Sequence, residues 1–407
     1  MPDRALSDLR VVDISQGIAG PYATKLLADS GASVIKVEPP VGDYSRRLGP
    51  FPDDVPNPEK SGLYLHLNTS KRSITLDVSV TSGQVVLRKL LANADVLVCG
   101  EKASTLETWE LTYDDLKADF PELTLAQISP FGATGPYADY DGNNITAMAM
   151  STIMYNTGDP DREPLVTGGQ AGEYLGGVQL WIGILAALAN RAKNGGGDHV
   201  DVSLVEAVAS ADEYNAAMYG FQGAIRRRYY SRHIWGYPND IMECADGHIV
   251  VIPGANGFPT PLQPDTISPM ALLLEDIELD QTLLFKQMGE RMVNWREFEG
   301  LIAPYLQSKT AMEIVMTAQA LRLPFAFVPS ASDLQSDEHL AERGFFEKQK
   351  HPVAGEITLP GAPFKMSETP LQAEPAPARG EANVDVLVGQ LGYEKGDLTI
   401  LSDRGVI

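Results

Sequence analysis

Residues 9–37 read LRVVDISQGIAGPYATKLLADSGASVIKV, and this stretch decides the fold class. It begins with a short apolar run at Leu9–Ile14 and ends with a β-branched run at Ser33–Val37, both typical of strands. Between them, the apolar residues of Pro21–Asp29 have helical spacing, and Gly31 follows as a stop signal. The stretch therefore predicts a strand, a helix and a second strand in succession.

The same alternation continues along the first half of the chain. Further strands are predicted at Ile74–Leu76, Val96–Val98, Leu125–Ile128 and Val200–Leu204. Further helices are predicted at 81–91, from Thr112 onward, at 176–191 and at 205–219. Thr81 and Gln84 form a capping-box pattern, and the helix at 176–191 is apolar on nearly every side, which is typical of a buried helix. This order predicts an α/β fold with helices on the faces of a parallel sheet.

The composition of the chain changes after about residue 222, where arginines, aromatic residues and short turns replace the regular alternation. Helical patterns return from about residue 281, and several prolines mark the last segment. We therefore predict the first part of a large α/β domain at 1–222, a linker and a smaller domain at 223–334, and a C-terminal segment at 335–407 that returns to the large domain.

Composition and charge exclude several classes of protein. The 407 residues are 44% hydrophobic and 21% charged, which excludes a disordered chain, a collagen and a coiled coil. The net charge of −22 disfavours binding to nucleic acid or to an anionic membrane. Two distant cysteines fit a reducing compartment. With no apolar signal core at the N-terminus, and no apolar run of the roughly 20 residues that a membrane span needs, we expect a soluble cytoplasmic protein.

Cofactor motifs are missing from the sequence. No Gly-x-Gly-x-x-Gly follows the early strands, and no phosphate-binding loop ends in Gly-Lys-Ser or Gly-Lys-Thr. The six histidines lack metal-ligand spacing. The stretch 139–143 resembles the start of a calcium loop, but Asn144 and Met150 occupy its sixth and twelfth positions. We therefore expect no metal and no prosthetic group.

Six blocks of sequence, in order along the chain, resemble class III CoA-transferases, the family of formyl-CoA transferase, carnitine CoA-transferase and α-methylacyl-CoA racemase. The blocks are Val11–Tyr22, Leu27–Pro40, Asn68–Asp77, Ile128–Tyr137, Arg343–Phe346 and Gly361–Lys365. Each block is weak alone, and the specificity comes from their order. The resemblance implies a large doubly wound, Rossmann-like domain, a smaller α+β domain, and two subunits interlocked as a dimer.

The resemblance also implies a reaction, the transfer of coenzyme A from an acyl-CoA donor to a free carboxylic acid. A carboxylate attacks the thioester and forms an anhydride and then an enzyme-bound thioester. In the family this carboxylate is an Asp just before the long apolar helix. Here the matching block Gly168–Tyr174 places Glu173 at that position. Glu173 is therefore the predicted nucleophile, or the mark of a weakly catalytic or non-catalytic subunit of a heterodimer whose partner has the Asp.

The CoA contacts are also carried over from the family. The resemblance implies that the following residues bind CoA: Gly17, Ile18 and Ala19 at the thioester end, Lys71, Arg72 and Leu76 at the nucleotide, and Lys102 at a phosphate. Trp109, which follows soon after Lys102 in the sequence, is the residue that we expect over the adenine. Lys102 lies in a stretch, 100–104, that departs from the family's Asn-Phe-Arg-Pro-Gly. Gly254 and Gly257 are the nearest match to a loop that would cover the site and supply backbone donors to the oxyanion.

Two other functions remain as alternatives. An acyl-CoA racemase would need a histidine where this chain has Asn143, and a neutral amide cannot exchange protons near pH 7. An NAD-type dehydrogenase fits the α/β pattern but not the missing dinucleotide motif. The partners expected are an acyl-CoA, a carboxylic acid acceptor, and a second subunit that is either identical or related.

Overall fold

The computed structural model describes residues 4–232, 237–252, 267–276, 279, 282, 285 and 288–407. Gly254 and Gly257, the predicted covering loop, lie outside the described residues. The contacts divide the chain into two units, one formed by 1–154, 166–224 and 338–407, the other by 155–165 and 225–337. The boundaries predicted from the sequence lie at 222/223 and 334/335, and the predicted large domain includes 155–165.

The first unit is built on a six-stranded parallel sheet in the order β3-β2-β1-β4-β5-β6. The strands are Arg10–Asp13 (β1), Ser33–Glu38 (β2), Arg72–Thr75 (β3), Val96–Cys99 (β4), Thr124–Ser129 (β5) and His199–Ser203 (β6). Val11 pairs with Val34 on one side and with Val96 on the other. The strand order therefore reverses between β1 and β4, where doubly wound sheets bind their ligands. The predicted α/β fold is confirmed.

Helices cover both faces of this sheet because alternate residues of each strand point to opposite faces. The helices up to residue 222 are Ala19–Asp29 (α1), Gly62–Leu67 (α2), Thr81–Leu91 (α3), Ala103–Thr108 (α4), Tyr113–Asp119 (α5), Asn144–Met150 (α6), Ile153–Asn156 (α7), Ala171–Asn194 (α8), Leu204–Ser210 (α9) and Glu213–Gln222 (α10). Val11 and Val98 join a core with Leu180 of α8, whereas Val12 and Leu97 join a separate core.

The long helix α8 is buried on one face only within the single chain. Leu180 and Ile184 are fully buried, whereas Ile182 is 49% exposed. The expectation of burial on nearly every side is therefore wrong for one chain alone. By length and composition α8 could also span a membrane, but core helices of soluble proteins pass the same test.

The C-terminal segment returns to the first unit, at the β3 edge of the sheet. Asn383 Oδ1 accepts a hydrogen bond from the Thr75 N–H at 2.8 Å, and the Asp77 N–H donates to the Val406 carbonyl at 2.7 Å. A π-helical stretch occupies Val384–Gln390, and a further α-helix follows it. The segment also contains the antiparallel pair Phe346–His351 (β10) and Gly355–Pro360 (β11).

The second unit has its own apolar core around Phe298 and Ile302. Its antiparallel strands are Asp240–Cys244 (β7), Gly247–Val251 (β8) and Ala326–Phe327 (β9), in the order β7-β8-β9. The helices after residue 222, in chain order, are Ile267–Leu273 (α11), Met288–Val293 (α12), Trp295–Gln307 (α13), Ala311–Ala320 (α14), Ala331–Ser336 (α15), Glu338–Glu342 (α16) and Lys395–Asp403 (α17); the last two belong to the first unit. This unit has the predicted α+β composition.

Two helix starts test the capping predictions. Thr112 is the N-cap of α5 and forms a capping box with Asp115, which agrees with the helix start predicted at Thr112. The capping box predicted for α3 is wrong, because Thr81 already lies inside the helix and Val80 precedes it without a side-chain cap. The Gln84 N–H is bound by the Val80 carbonyl instead.

Candidate active site

A cavity of about 270 Å³ opens at the carboxyl ends of β1 and β4, where the strand order reverses. Its wall is formed by the loop after β1, the start of α1, the loop after β4, and the first turn of α8. The lining residues that matter below are Gln16, Ala19, Tyr44, Glu101, Lys102 and Glu173. The cavity therefore brings Glu173 together with Ala19 and Lys102, three residues that the sequence analysis assigns to one site.

Glu173 lies in the first turn of α8 and is half-buried. Gln170, which precedes the helix, makes no side-chain cap. The missing cap is supplied from α6 by the buried Asn144, whose Oδ1 accepts the Gly172 N–H at 2.9 Å and the Glu173 N–H at 3.4 Å. This contact fixes the helix end that holds Glu173.

Two opposing effects act on the pKa of the Glu173 carboxyl. Burial raises the pKa of the Glu173 carboxyl above its usual value, and a hydrogen bond from the Ala19 backbone N–H offsets part of that rise. Ala19 begins α1, so the carboxylate lies at the positive ends of two helices, α1 and α8. Glu173 is thus a desolvated carboxylate that can still ionise.

The close approach of α1 and α8 depends on Gly177. A Cβ atom on Gly177 would lie 2.6 Å from the Ala19 carbonyl oxygen and 3.2 Å from the Tyr22 ring. Any larger residue would force the two helices apart, because the Ala19 contact is to backbone. Gly177 therefore sets the distance between Glu173 and the Ala19 N–H.

The loop after β1 is held by a carboxylate that the sequence analysis did not identify. Gly17 has φ +82°, and its N–H donates to the Asp43 carboxylate at 3.1 and 3.3 Å. A Cβ atom on Gly17 would lie 1.8 Å from the hydroxyl oxygen of Tyr44. The phenol of Tyr44 therefore lies directly over Gly17, and the positive φ of Gly17 favours glycine there.

A buried charge network lies beneath this loop. Lys36 Nζ is 2.9 Å from Asp43 Oδ2 and 3.9 Å from Asp13 Oδ2, with all three side chains fully buried, and it also donates to the Ser15 carbonyl. Burial acts to raise the pKa of Asp13, but Lys36 and Lys71 hold it below its usual value. Burial likewise acts to lower the pKa of Lys36, and Asp13 and Asp43 raise it above the usual value. Asp13 and Lys36 therefore keep their charges, and their contacts fix the loop.

Lys71 belongs to this network. Its ammonium group is fully buried, 3.3 Å from Asp13 Oδ2 and 2.9 Å from both the Pro21 carbonyl and Asn68 Oδ1. Burial lowers the pKa of Lys71 to about 7. The ammonium is thus engaged inside the protein, while Lys71 as a residue also lines a cavity of about 320 Å³ next to Arg72. The predicted nucleotide contact of Lys71 stays a prediction.

The other predicted CoA residues occupy two further cavities. Leu76 and Trp109 line a cavity of about 270 Å³ that shares Gln16 and Glu101 with the Glu173 cavity. Arg72 lines a separate cavity of about 320 Å³ together with Lys350. The structure therefore places Leu76 and Trp109 next to the predicted thioester end, and it places Arg72 elsewhere.

Lys102 borders the Glu173 cavity but is not free. Its Nζ donates to Asp141 Oδ1 at 2.6 Å and to the Asp139 carbonyl at 3.0 Å. Asp141 is almost fully exposed, so this ion pair faces solvent. A phosphate at Lys102 would have to compete with the Asp141 carboxylate.

Sequence reasoning missed Tyr44, Asp43, Lys36 and Asn144. One signal was present for Lys36, because it lies between the apolar residues Ile35 and Val37 of a strand, and a charge that is buried at such a position needs a partner. Asp43 and Tyr44 lie in a loop with no motif, and only the fold brings them to Gly17.

Comparison with known proteins gives consistent matches along the chain. Residues 6–383 match CoA-transferase family III. Succinyl-CoA:mesaconate CoA-transferase of Haloarcula hispanica is 32% identical over 98% of this chain and 99% of its own length. A subunit of succinyl-CoA:(R)-benzylsuccinate CoA-transferase of Thauera aromatica is 30% identical over 98% of each chain. A solved CAIB/BAIF family protein from Brucella suis has a TM-score of 0.83 and 27% identity, covering 95% of this chain and 99% of its own.

Proposed function

The chain belongs to CoA-transferase family III and is an acyl-CoA:carboxylate CoA-transferase, and we propose that Glu173 is the nucleophile that carries the acyl group and then CoA. The observation that supports this most is the placement of the Glu173 carboxylate, desolvated in a cavity and bonded to the Ala19 N–H at the start of a second helix. Glu101 and Asp141 line the same cavity. Asp141 is paired with Lys102. Among the described residues, no backbone N–H donates to the carboxylate of Glu101.

The chemistry proceeds without a proton donor. A Glu173 oxygen attacks the carbonyl carbon of the acyl-CoA, the carbon–sulfur bond breaks, and CoA leaves as a thiolate while a mixed anhydride forms. The thiolate then attacks the Glu173 carbonyl carbon of the anhydride and expels the donor acid as a carboxylate. The acceptor carboxylate attacks the resulting Glu173 thioester, which releases the CoA thiolate and forms a mixed anhydride between Glu173 and the acceptor. The thiolate then attacks the acceptor carbonyl of this anhydride, which gives the CoA ester of the acceptor and frees the Glu173 carboxylate. Every nucleophile and leaving group is an anion, so no acid–base histidine is needed.

The two cavities that share Gln16 and Glu101 offer a path for CoA. We place the thioester beside Glu173 and Ala19 and the nucleotide toward Leu76 and Trp109, so that CoA crosses the carboxyl edge of the sheet where the strand order reverses. Lys102 is the cation among the described residues that line these two cavities. It is therefore the side chain that we assign to a CoA phosphate.

We propose succinyl-CoA as the first donor to test, because the two curated relatives described above are named for it.

We also propose that a second subunit covers part of this chain. A mainly apolar cavity of about 670 Å³ lies beside Tyr174 and β11, and Ile182 of α8 is half-exposed; both are surfaces that a subunit interface would bury. Because one relative is a subunit of a larger enzyme, the partner is either a second copy or a related chain. We expect the assembly to act in the cytoplasm.

The test is a panel of acyl-CoA donors, headed by succinyl-CoA, against free carboxylic acids, with new CoA esters identified by mass spectrometry. The purified chain is expected to transfer CoA and to sediment at about twice its mass of 44.0 kDa. Glu173→Gln is expected to abolish transfer while CoA binding persists. Transfer by Glu173→Gln at the wild-type rate would overturn the proposal.

A further inference from the structure

Tyr44 lines the same cavity as Glu173, at the mouth of the loop after β1. Its hydroxyl oxygen lies over Gly17, in the space that a Cβ atom on that residue would occupy. The residue is 43% exposed, so its ring is packed on one side and its other side is open to the cavity. The phenol is thus a side-chain donor beside the proposed nucleophile.

The backbone donors of this loop are partly engaged by the protein itself. The Ser15 N–H donates to Asp13 at 3.0 Å and the Gly17 N–H to Asp43. The Ala19 N–H is bound to the Glu173 carboxylate. A thioester carbonyl that gains negative charge during attack needs a donor that is not engaged in this way.

The Tyr44 hydroxyl meets that need. Within the part of the chain that the structure describes, it makes no hydrogen bond, whereas its backbone is firmly held. Tyr44 begins a 3-10 turn, Tyr44–Arg47, which Asp43 caps through the Ser45 N–H at 2.8 Å. Arg46 in the same turn forms two buried hydrogen bonds to Glu38, at 2.7 and 2.8 Å. An unengaged donor on a rigid turn is the arrangement that stabilises a transition state without reorganisation.

The phenol also keeps its proton at working pH. Burial, with the nearby charges of Glu173 and Asp43, raises the pKa of Tyr44 to about 12. Glu173 contributes to this rise because it lines the same cavity as Tyr44. Tyr44 therefore remains a neutral hydrogen-bond donor across the pH range in which a carboxylate nucleophile is active.

We propose that the Tyr44 hydroxyl donates a hydrogen bond to the thioester carbonyl oxygen while Glu173 attacks, an inference that rests on the proposed function. As the bond from Glu173 to the carbonyl carbon forms, the π electrons of the carbonyl move to its oxygen, and Tyr44 stabilises this oxyanion while keeping its own proton. When the oxyanion collapses, the carbon–sulfur bond breaks and the CoA thiolate departs. The same donor serves the later attacks on the anhydride and on the Glu173 thioester.

The experiment compares Tyr44→Phe with wild type, using Tyr219→Phe as the control because Tyr219 is an exposed tyrosine of α10 outside the cavity. Rapid-quench mass spectrometry with succinyl-CoA, or with the donor that the panel identifies, measures the acylation rate of the enzyme. Loss of one oxyanion donor costs about 10²–10³ in rate. We expect Tyr44→Phe to lose that much in acylation and in kcat, with CoA affinity and thermal stability unchanged, and Tyr219→Phe to match wild type.

Three outcomes would overturn the inference. The first is an unchanged acylation rate, and the second is a weakened affinity for CoA that accounts for the whole loss. The third is a shift of the acid limb of the pH–rate profile with an unchanged plateau, which would mean that Tyr44 binds the resting Glu173 carboxylate. Failure of the proposed function has a separate signature, because wild-type enzyme would then form no adduct on Glu173, whatever Tyr44→Phe does.

Discussion

The Ala19 backbone N–H donates to the carboxylate of Glu173, although Ala19 begins α1 and Glu173 lies in the first turn of α8. The bond joins two segments separated by about 150 residues in sequence, and it forms because the two helices pack closely against each other. It places the proposed nucleophile at two positive helix ends.

Gly177→Ala is expected to reduce kcat by about a hundredfold, because the new Cβ would contact the Ala19 carbonyl at 2.6 Å and push Glu173 out of place. Steady-state kinetics measures the effect. Gly220→Ala is the matched control, since Gly220 lies in helix α10 with open space around it. It is expected to leave kcat unchanged and to stabilise the helix by up to about 1 kcal/mol. Equal activity of the two variants would contradict the role assigned to Gly177.

Glu173→Gln is expected to raise the melting temperature at pH 7.5. Burial raises the pKa of Glu173 above its value in the unfolded chain. At neutral pH, ionisation of this carboxyl therefore costs more free energy in the folded protein than in the unfolded chain, and this difference lowers the stability of the fold. Below the usual carboxyl pKa both states are protonated, so the gain is expected to shrink as the pH falls toward 4. Thermal denaturation of both proteins from pH 4 to 8 checks this. A variant that is less stable than wild type at pH 7.5 would show that the carboxylate is stabilising.

Lys36→Met is expected to lower the stability of the first unit by about 3–5 kcal/mol, because it leaves Asp13 and Asp43 buried without their shared cation. Urea denaturation provides the measurement. Lys348→Met is the control, since the Lys348–Glu356 pair is exposed and 4.0 Å apart. It is expected to change stability by no more than about 1 kcal/mol. If the two variants lose similar stability, the network does not hold the loop.

Lys102→Gln is expected to weaken CoA binding and to reduce its salt dependence, because the phosphate would lose a cation. Asp141→Asn is expected to act in the opposite direction, since it removes the carboxylate that pairs with Lys102 at 2.6 Å. Calorimetric titration with CoA at low and high salt measures both effects. Unchanged affinity in both variants would place the phosphates elsewhere.

The sheet could be predicted from sequence because its strands are short apolar runs in regular alternation with helices. Thus Val96–Cys99 and Thr124–Ser129 lie within one residue of their predicted bounds at each end. The absence of a cap at Thr81 could not be predicted, because the Gln84 N–H donates to the Val80 carbonyl in place of a side-chain cap. The local sequence pattern indicates that a helix begins near Thr81, but it does not show which of two neighbouring residues is the first residue of the helix.

The site was only partly predictable for a different reason. Glu173 and the Gly17–Ala19 loop lie in blocks that resemble a known family, so sequence order alone identified them. Tyr44 and Lys102 reach the same cavity because the order of the sheet, β3-β2-β1-β4-β5-β6, brings their loops to one edge. The sequence did not indicate the surroundings of Lys71: its block resembles the family, but only the fold shows that its ammonium pairs with the buried Asp13.

Hydroxylamine trapping shows directly whether Glu173 is the nucleophile. Wild-type enzyme, succinyl-CoA and hydroxylamine are incubated together with the acceptor acid, and the digested protein is analysed by peptide mass spectrometry. A nucleophilic Glu173 passes through an anhydride and a thioester, which hydroxylamine converts to a hydroxamate on that side chain. We expect this hydroxamate on Glu173 of the wild-type enzyme, and we expect no hydroxamate at this position in Glu173→Gln. An unmodified Glu173 while CoA transfer proceeds, with the adduct on another carboxylate such as Glu101, would contradict it.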